Sequence, residues 1–140
     1  MGCCVSVKTL DQDKIHSSII LQAKGETYRY HGTTELGQFQ TMGNAEIILT
    51  EDGIYSQVIG VACCGDRGYL HIPLLAITNI REQDWFNGLY RLDRPHLIIT
   101  YKVPNKGEYQ AGWQMNQAGY EQWKTSIERI LEEKYMLKLQ

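Results

Sequence analysis

Apolar residues recur in short runs along most of the chain, and polar turn residues separate the runs. That rhythm predicts strands. The clearest case is residues 45–50, AEIILT, followed by Glu51-Asp52-Gly53 and a return run at 54–59, IYSQVI. The Asp-Gly pair is a hairpin signal, because both residues tolerate the positive φ of a tight turn. Upstream, ETYRYHGTT (26–34) alternates Tyr28 and Tyr30 with polar neighbours. Downstream, YLHI (69–72) reads as a strand that Pro73 ends or bends, since proline has no N–H for a ladder. AITNI (76–80), HLIITYKV (96–103) and YQAGWQM (109–115) complete the set, with PNKGE as the turn between the last two. Residues 35–44 are turn-rich, and REQDWFNGLYRLDR (81–94) reads as a long loop. About seven short strands at this spacing predict a sandwich or a partly open barrel.

The two ends differ. DQDKIHSSIILQA (11–23) reads as a short amphipathic helix with Leu10, Ile15, Ile19 and Ala23 on one stripe. SSIIL within it serves equally as a strand, and Lys24-Gly25 breaks the chain after it. At the other end Asn116 is an N-cap candidate. From there to Lys134, Tyr120, Trp123, Ile127, Ile130 and Leu131 recur at helical spacing, with charged residues on the opposite side. The fold expected is mainly β with one helix: a partly open barrel of about seven antiparallel strands, capped by the C-terminal α-helix. Trp113 and Trp123 are expected to fill its interior, which leaves no room for a small-ligand barrel. Residues 1–10 read as a flexible arm and 11–140 as a single domain.

Composition narrows the function classes. The chain has 140 residues, 43% hydrophobic and 21% charged, the balance of a globular domain able to bury its own core. Fourteen basic and sixteen acidic residues give a formal charge of −2, so nucleic acid is not an expected partner. No apolar run is long enough to span a bilayer as a helix, and no secretory signal is visible. No P-loop, GxGxxG or HExxH occurs, and no cysteine has a histidine at a spacing that suggests a nucleophile pair. The expectation is a non-enzymatic protein with no metal and no dissociable cofactor.

The four cysteines form two adjacent pairs, Cys3-Cys4 and Cys63-Cys64, with no CxxC spacing and four scattered histidines. Zinc and disulfide frameworks are poor fits to that arrangement. The chain opens MGCCVSVK. With Met1 removed, Gly2 is the acceptor of the M-G-x-x-x-[ST] acylation pattern and Ser6 fills its last position. Cys3 and Cys4 lie beside it, within reach of palmitoyl transferases. One myristoyl chain holds a protein only marginally, and a second makes attachment stable. Only Lys8 and Lys14 follow, too few for a polybasic second signal. Myristate on Gly2 and palmitate on Cys3 and Cys4 are therefore the expected covalent groups in a eukaryotic chain.

The order of elements, with NAEIILTEDGIYSQ followed by YLHIPLLAITNI and a helix carrying Trp123, resembles the pleckstrin-homology (PH) superfold, and within it the GRAM branch. The likeness covers roughly residues 26–134. With the MGCC terminus, the chain is similar to the small acylated PH-domain proteins of apicomplexan parasites, among them the inner-membrane-complex sub-compartment proteins. The resemblance implies a peripheral protein on the cytoplasmic face of a membrane, acting as an adaptor for a protein partner or as a sensor of an anionic lipid such as phosphatidic acid. Phosphoinositide-binding PH domains carry a K-x(n)-[KR]-x-R pattern. Here Lys24 and Arg29 precede or enter the first strand, His31 stands where an Arg would help, and no Lys or Arg follows from Gly32 to Asp66. The usual phosphoinositide pocket is not expected.

The stretch 83–94 is the leading surface candidate. It sets Trp85, Phe86, Leu89 and Tyr90 beside Arg91 and Arg94, and such aromatics with adjacent cations suit a membrane interface. Trp85 and Leu89 could equally fold back onto the barrel. VIGVACCGDR (58–67), with Arg67, is a second candidate. Cys63 and Cys64 read as half-buried thiols or interface residues, and the histidines as surface or barrel-lining residues. The alternative class is an unacylated PH- or GRAM-like module that binds a peptide along an exposed strand edge.

Overall fold

The computed structural model describes residues 19–36, 42–59, 68–86, 89–90 and 95–137. The predicted arm 1–10, with Gly2, Cys3 and Cys4, lies outside them, as do residues 11–18, Cys63, Cys64, Arg67, Arg91 and Arg94. The strands are β1 (Ile19–Thr33), β2 (Gly43–Thr50), β3 (Gly53–Val58), β4 (Leu70–Pro73), β5 (Ile77–Gln83), β6 (Trp85–Phe86), β7 (Leu89–Tyr90), β8 (His96–Val103) and β9 (Gly107–Gln114). One helix, α1 (Gln117–Tyr135), follows. Seven strands form one antiparallel sheet in the order β4-β3-β2-β1-β9-β8-β5, and β6-β7 form a separate pair. The fold is therefore mainly β, a partly open barrel capped by its C-terminal helix.

β1 joins the two halves. Its first part pairs with β2, from Leu21↔Leu49 to Gly25↔Ala45, and its last part pairs with β9 through Tyr30↔Trp113 and Thr33↔Ala111. Register shifts between Gly25 and Arg29, and between Tyr30 and Thr33, let one strand serve both partners. Residues 19–23 are thus strand, not the amphipathic helix that their spacing also allows. Leu21 and Ala23 pack on the core while Gln22 is exposed, the alternation of a half-buried strand. Lys24-Gly25 does not end it. The loop expected at 81–94 is also revised. Its first residues extend β5, and Trp85↔Tyr90 with Phe86↔Leu89 make a small ladder.

The interior is built as expected. Trp113 and Trp123 are fully buried, and the Trp113 indole N–H donates to Ser56 Oγ at 2.9 Å, the partner that a buried indole requires. Tyr120, Trp123, Ile127, Ile130 and Leu131 form the buried stripe of α1. Asn116 caps it, its Oδ1 accepting from the Gly119 N–H at 2.7 Å. Met136 turns the chain in the left-handed region at φ 56°, and the Leu137 N–H closes back on the Leu131 carbonyl at 2.9 Å. The helix end is tied to the β2–β3 turn through Lys134 Nζ to Glu51 Oε2 (3.0 Å) and Tyr135 Oη to the Glu51 carbonyl (2.9 Å).

Candidate functional site

Two surfaces stand out. The first is the β6–β7 pair. Successive strand residues point to opposite sides, so Trp85 and Phe86 cannot share a surface. Phe86 is buried at 3% exposure, its ring against Gly112 of β9, while Trp85 is 53% exposed. The expectation that Phe86 contacts a membrane or partner is therefore corrected, because its ring is spent on holding the hairpin to the sheet. Trp85 remains outward. It pairs with Tyr90 across the ladder, and the Gln83 side-chain amide donates to the Trp85 carbonyl at 3.0 Å. The sequence held a signal for this hairpin: Asn87-Gly88 flanked by Trp-Phe and Leu-Tyr is the pattern of a two-residue turn.

Phe86 lies on the outer face of the sheet. Tyr30, Leu97, Ile99, Ala111 and Trp113 belong to the core cluster, so the alternate residues His31, His96, Ile98, Gly112 and Gln114 face the other way. His31, His96, Ile98 and Gln114 are nonetheless buried. His31 Nδ1 and His96 Nε2 are 2.6 Å apart and hydrogen-bonded there. These two histidines are neither surface nor interior-lining residues, as the sequence suggested, but a buried polar pair on the outside of the barrel. Bonding ring nitrogen to ring nitrogen uses one as donor and one as acceptor, so the bond accounts for one nitrogen of each imidazole.

The second surface is a groove of about 1130 Å³ between β4 with its following 3₁₀ turn (Leu74–Ala76) and the β8–β9 hairpin. Leu70, Pro73, Leu75, Ala76, Val103 and Pro104 supply apolar lining, and Lys102, Lys106, Glu35 and Glu108 supply charge. At one end Tyr101 Oη donates to Glu35 Oε1 at 3.0 Å, and Thr33 Oγ1 lies 2.5 Å from the same phenol. Tyr101 has one proton, which goes to Glu35, so Thr33 is the donor in the second bond. Burial, together with the neighbouring Glu35 charge, pushes the Tyr101 phenol far above its ordinary value, so it stays a neutral donor. His71, on the groove rim, stacks on Tyr55 with ring centroids 4.3 Å apart. Nothing in the apolar sequence IPLLA distinguishes the exposed Leu75 from the buried Leu74, so this groove was not legible beforehand.

Among the described residues no three His, Cys, Asp or Glu side chains cluster as metal ligands, and no helix is long and apolar enough to cross a membrane. No protein-family model matches the chain, and no curated protein matches it.

Proposed function

We propose that the chain is a non-enzymatic PH-like adaptor or lipid sensor on the cytoplasmic face of a membrane. Myristate on Gly2 and palmitate on Cys3 and Cys4 hold it there, and the domain surface recognises an anionic lipid or a protein partner. The observation that carries the reading is Trp85: a large indole left outward on a hairpin whose neighbouring residue is fastened to the sheet. An indole at headgroup depth gains from the interface without entering the hydrocarbon. Arg91 and Arg94 follow close behind in sequence and bring cations to anionic headgroups. The strand meander followed by one capping helix supports the PH-like assignment.

Two measurements test this. Intact mass of the protein from its native membranes, before and after hydroxylamine, reads the anchor: myristate plus hydroxylamine-labile mass supports it, and an unmodified terminus removes it. Sedimentation of the unacylated chain with vesicles containing phosphatidic acid reads the surface. Trp85→Ala is expected to weaken binding severalfold with the melting temperature unchanged, and equal binding by variant and parent would remove the hairpin from the contact. A second reading, an unacylated protein-interaction module, draws on β4, which among the described residues pairs only with β3 and has no strand on its other edge.

A further inference from the structure

The outer face of the sheet carries a cation close to the Trp85 hairpin. Strand β5 pairs with β8 through Ile80↔Ile99, Arg81↔Ile98 and Glu82↔Leu97. Cross-strand partners share a face, so Ile80 lies with the core while Arg81 stands with Ile98 on the outside. Glu82 goes the other way, with Leu97, so its carboxylate is not on the side of the guanidinium. Ile98 in turn pairs with Gly112, on which the Phe86 ring rests. Gly112, Ile98 and Arg81 are therefore one row across β9, β8 and β5, with the ends of the row roughly 10 Å apart, two strand spacings. Phe86 is seated at one end. Ile98 in the middle is fully buried, and Arg81 at the other end is exposed. Beyond it β5 has no further strand among the described residues. The Arg81 side chain makes no hydrogen bond or ion pair there, and the exposed Asp84, in the bend before Trp85, does not pair with it.

An uncommitted guanidinium beside an outward indole is complementary to a phosphate at a membrane surface. We propose that Arg81 is the phosphate-binding residue of the hairpin surface, and that its ligand is the phosphate of an anionic membrane lipid. The inference rests on the reading of Trp85 as a membrane contact, and it narrows the partner from a lipid or a protein to a lipid. The guanidinium fork offers paired N–H donors that fit two phosphate oxygens at once. A protein is the weaker occupant. A stable protein contact takes about 20–30 residues a side around a well-packed apolar centre. Trp85 is the one large apolar side chain exposed on β5, β6, β8 or β9 among the described residues. One ring at headgroup depth and one phosphate contact suffice for a lipid.

The experiment is sedimentation of the full unacylated chain with phosphatidylcholine vesicles, with and without phosphatidic acid. The parent is expected to bind only the vesicles that contain phosphatidic acid. Arg81→Gln weakens this binding about fivefold with the melting temperature unchanged, the contribution of one basic residue at an anionic surface. Arg129→Gln, at an exposed position on α1, changes the net charge equally and binds like the parent. Arg81→Lys keeps the charge but loses the fork, and retains only part of the affinity. Equal losses in Arg81→Gln and Arg129→Gln would show a response to net charge and overturn the proposal, as would Arg81→Lys binding like the parent. Weaker binding by Trp85→Ala with none lost in Arg81→Gln would keep the hairpin as a membrane contact and remove the phosphate site. A parent that binds neither kind of vesicle would overturn both readings and leave a protein as the partner. Inorganic phosphate that saturates NMR shifts at Arg81, without vesicle binding, would make this a free-anion site and overturn the lipid assignment.

Discussion

The Phe86 ring rests on the bare backbone of Gly112. A Cβ at position 112 would stand 2.5 Å from Phe86 Cδ2 and 2.8 Å from Cγ, closer than real contacts allow. The glycine is there for the ring, since an aromatic side chain laid across a strand glycine restores the contacts that the missing side chain lacks. Through this contact β9 positions the hairpin that carries Trp85.

Gly112→Ala therefore forces Phe86 off the sheet and unseats the hairpin. The expected destabilisation is about 1–3 kcal/mol, the range for overpacking. Phe86→Ala is expected to lose about 3–5 kcal/mol, as for other buried phenylalanines. The three atoms nearest to the added methyl all belong to the Phe86 ring, so with the ring gone the double variant should be little worse than Phe86→Ala alone. Urea unfolding of the four proteins measures the coupling, and additive losses would show that the two residues act independently.

Ser56 and Trp113 form the second pair that can be tested alone. Ser56→Ala removes the acceptor of a buried indole N–H and leaves the donor without a partner, at a cost of about 1–3 kcal/mol. Trp113→Phe in the Ser56→Ala background removes the orphaned donor, so part of that loss disappears from the comparison between backgrounds. Chemical denaturation of the double-mutant cycle gives the sign.

The helix start depends on one side chain. Asn116→Ala deprives the Gly119 N–H of its acceptor and is expected to lose about 1 kcal/mol, whereas Asn116→Ser or Asn116→Asp keeps an oxygen in place and stays close to the parent. Thermal unfolding followed at the helix band separates these variants.

These elements differ in how openly the sequence announces them. Strands β2, β3, β8 and β9 and the helix could be read because their periodicity points one way only, and HLIITYKV (96–103) coincides with β8 residue for residue. Residues 19–23 could not. Ile19 and Ala23 are four apart, which puts them on one face of a helix and equally on one face of a strand. Pairing with Ile47 and Leu49 decides between them, and that is a long-range contact. Trp85 was legible as an amphipathic aromatic, but Phe86 beside it reads the same in sequence, and only the position of Gly112 separates them. His31 and His96 are 65 residues apart and become a pair only through the β1-β9-β8 order.

The Tyr55–His71 stack places limits on stability at both ends of the pH scale. Desolvation lowers the His71 pKa below 6.5, and the nearby Asp52 offsets this only in part. The unfolded chain then binds a proton more readily than the folded one, so stability falls as pH drops through 6.5 towards the lower folded value. Desolvation also raises the Tyr55 phenol above 10.0, with Asp52 and Tyr69 adding to it. There the unfolded chain gives up its proton first, and stability falls as pH rises beyond 10.0. His71→Gln should flatten the acid limb and leave the alkaline one. Tyr55→Phe should flatten part of the alkaline limb only, because Tyr101 and Tyr120 are raised as well. Urea midpoints of the three proteins across the pH range measure this, and an acid limb unchanged in His71→Gln would move its origin elsewhere in the fold.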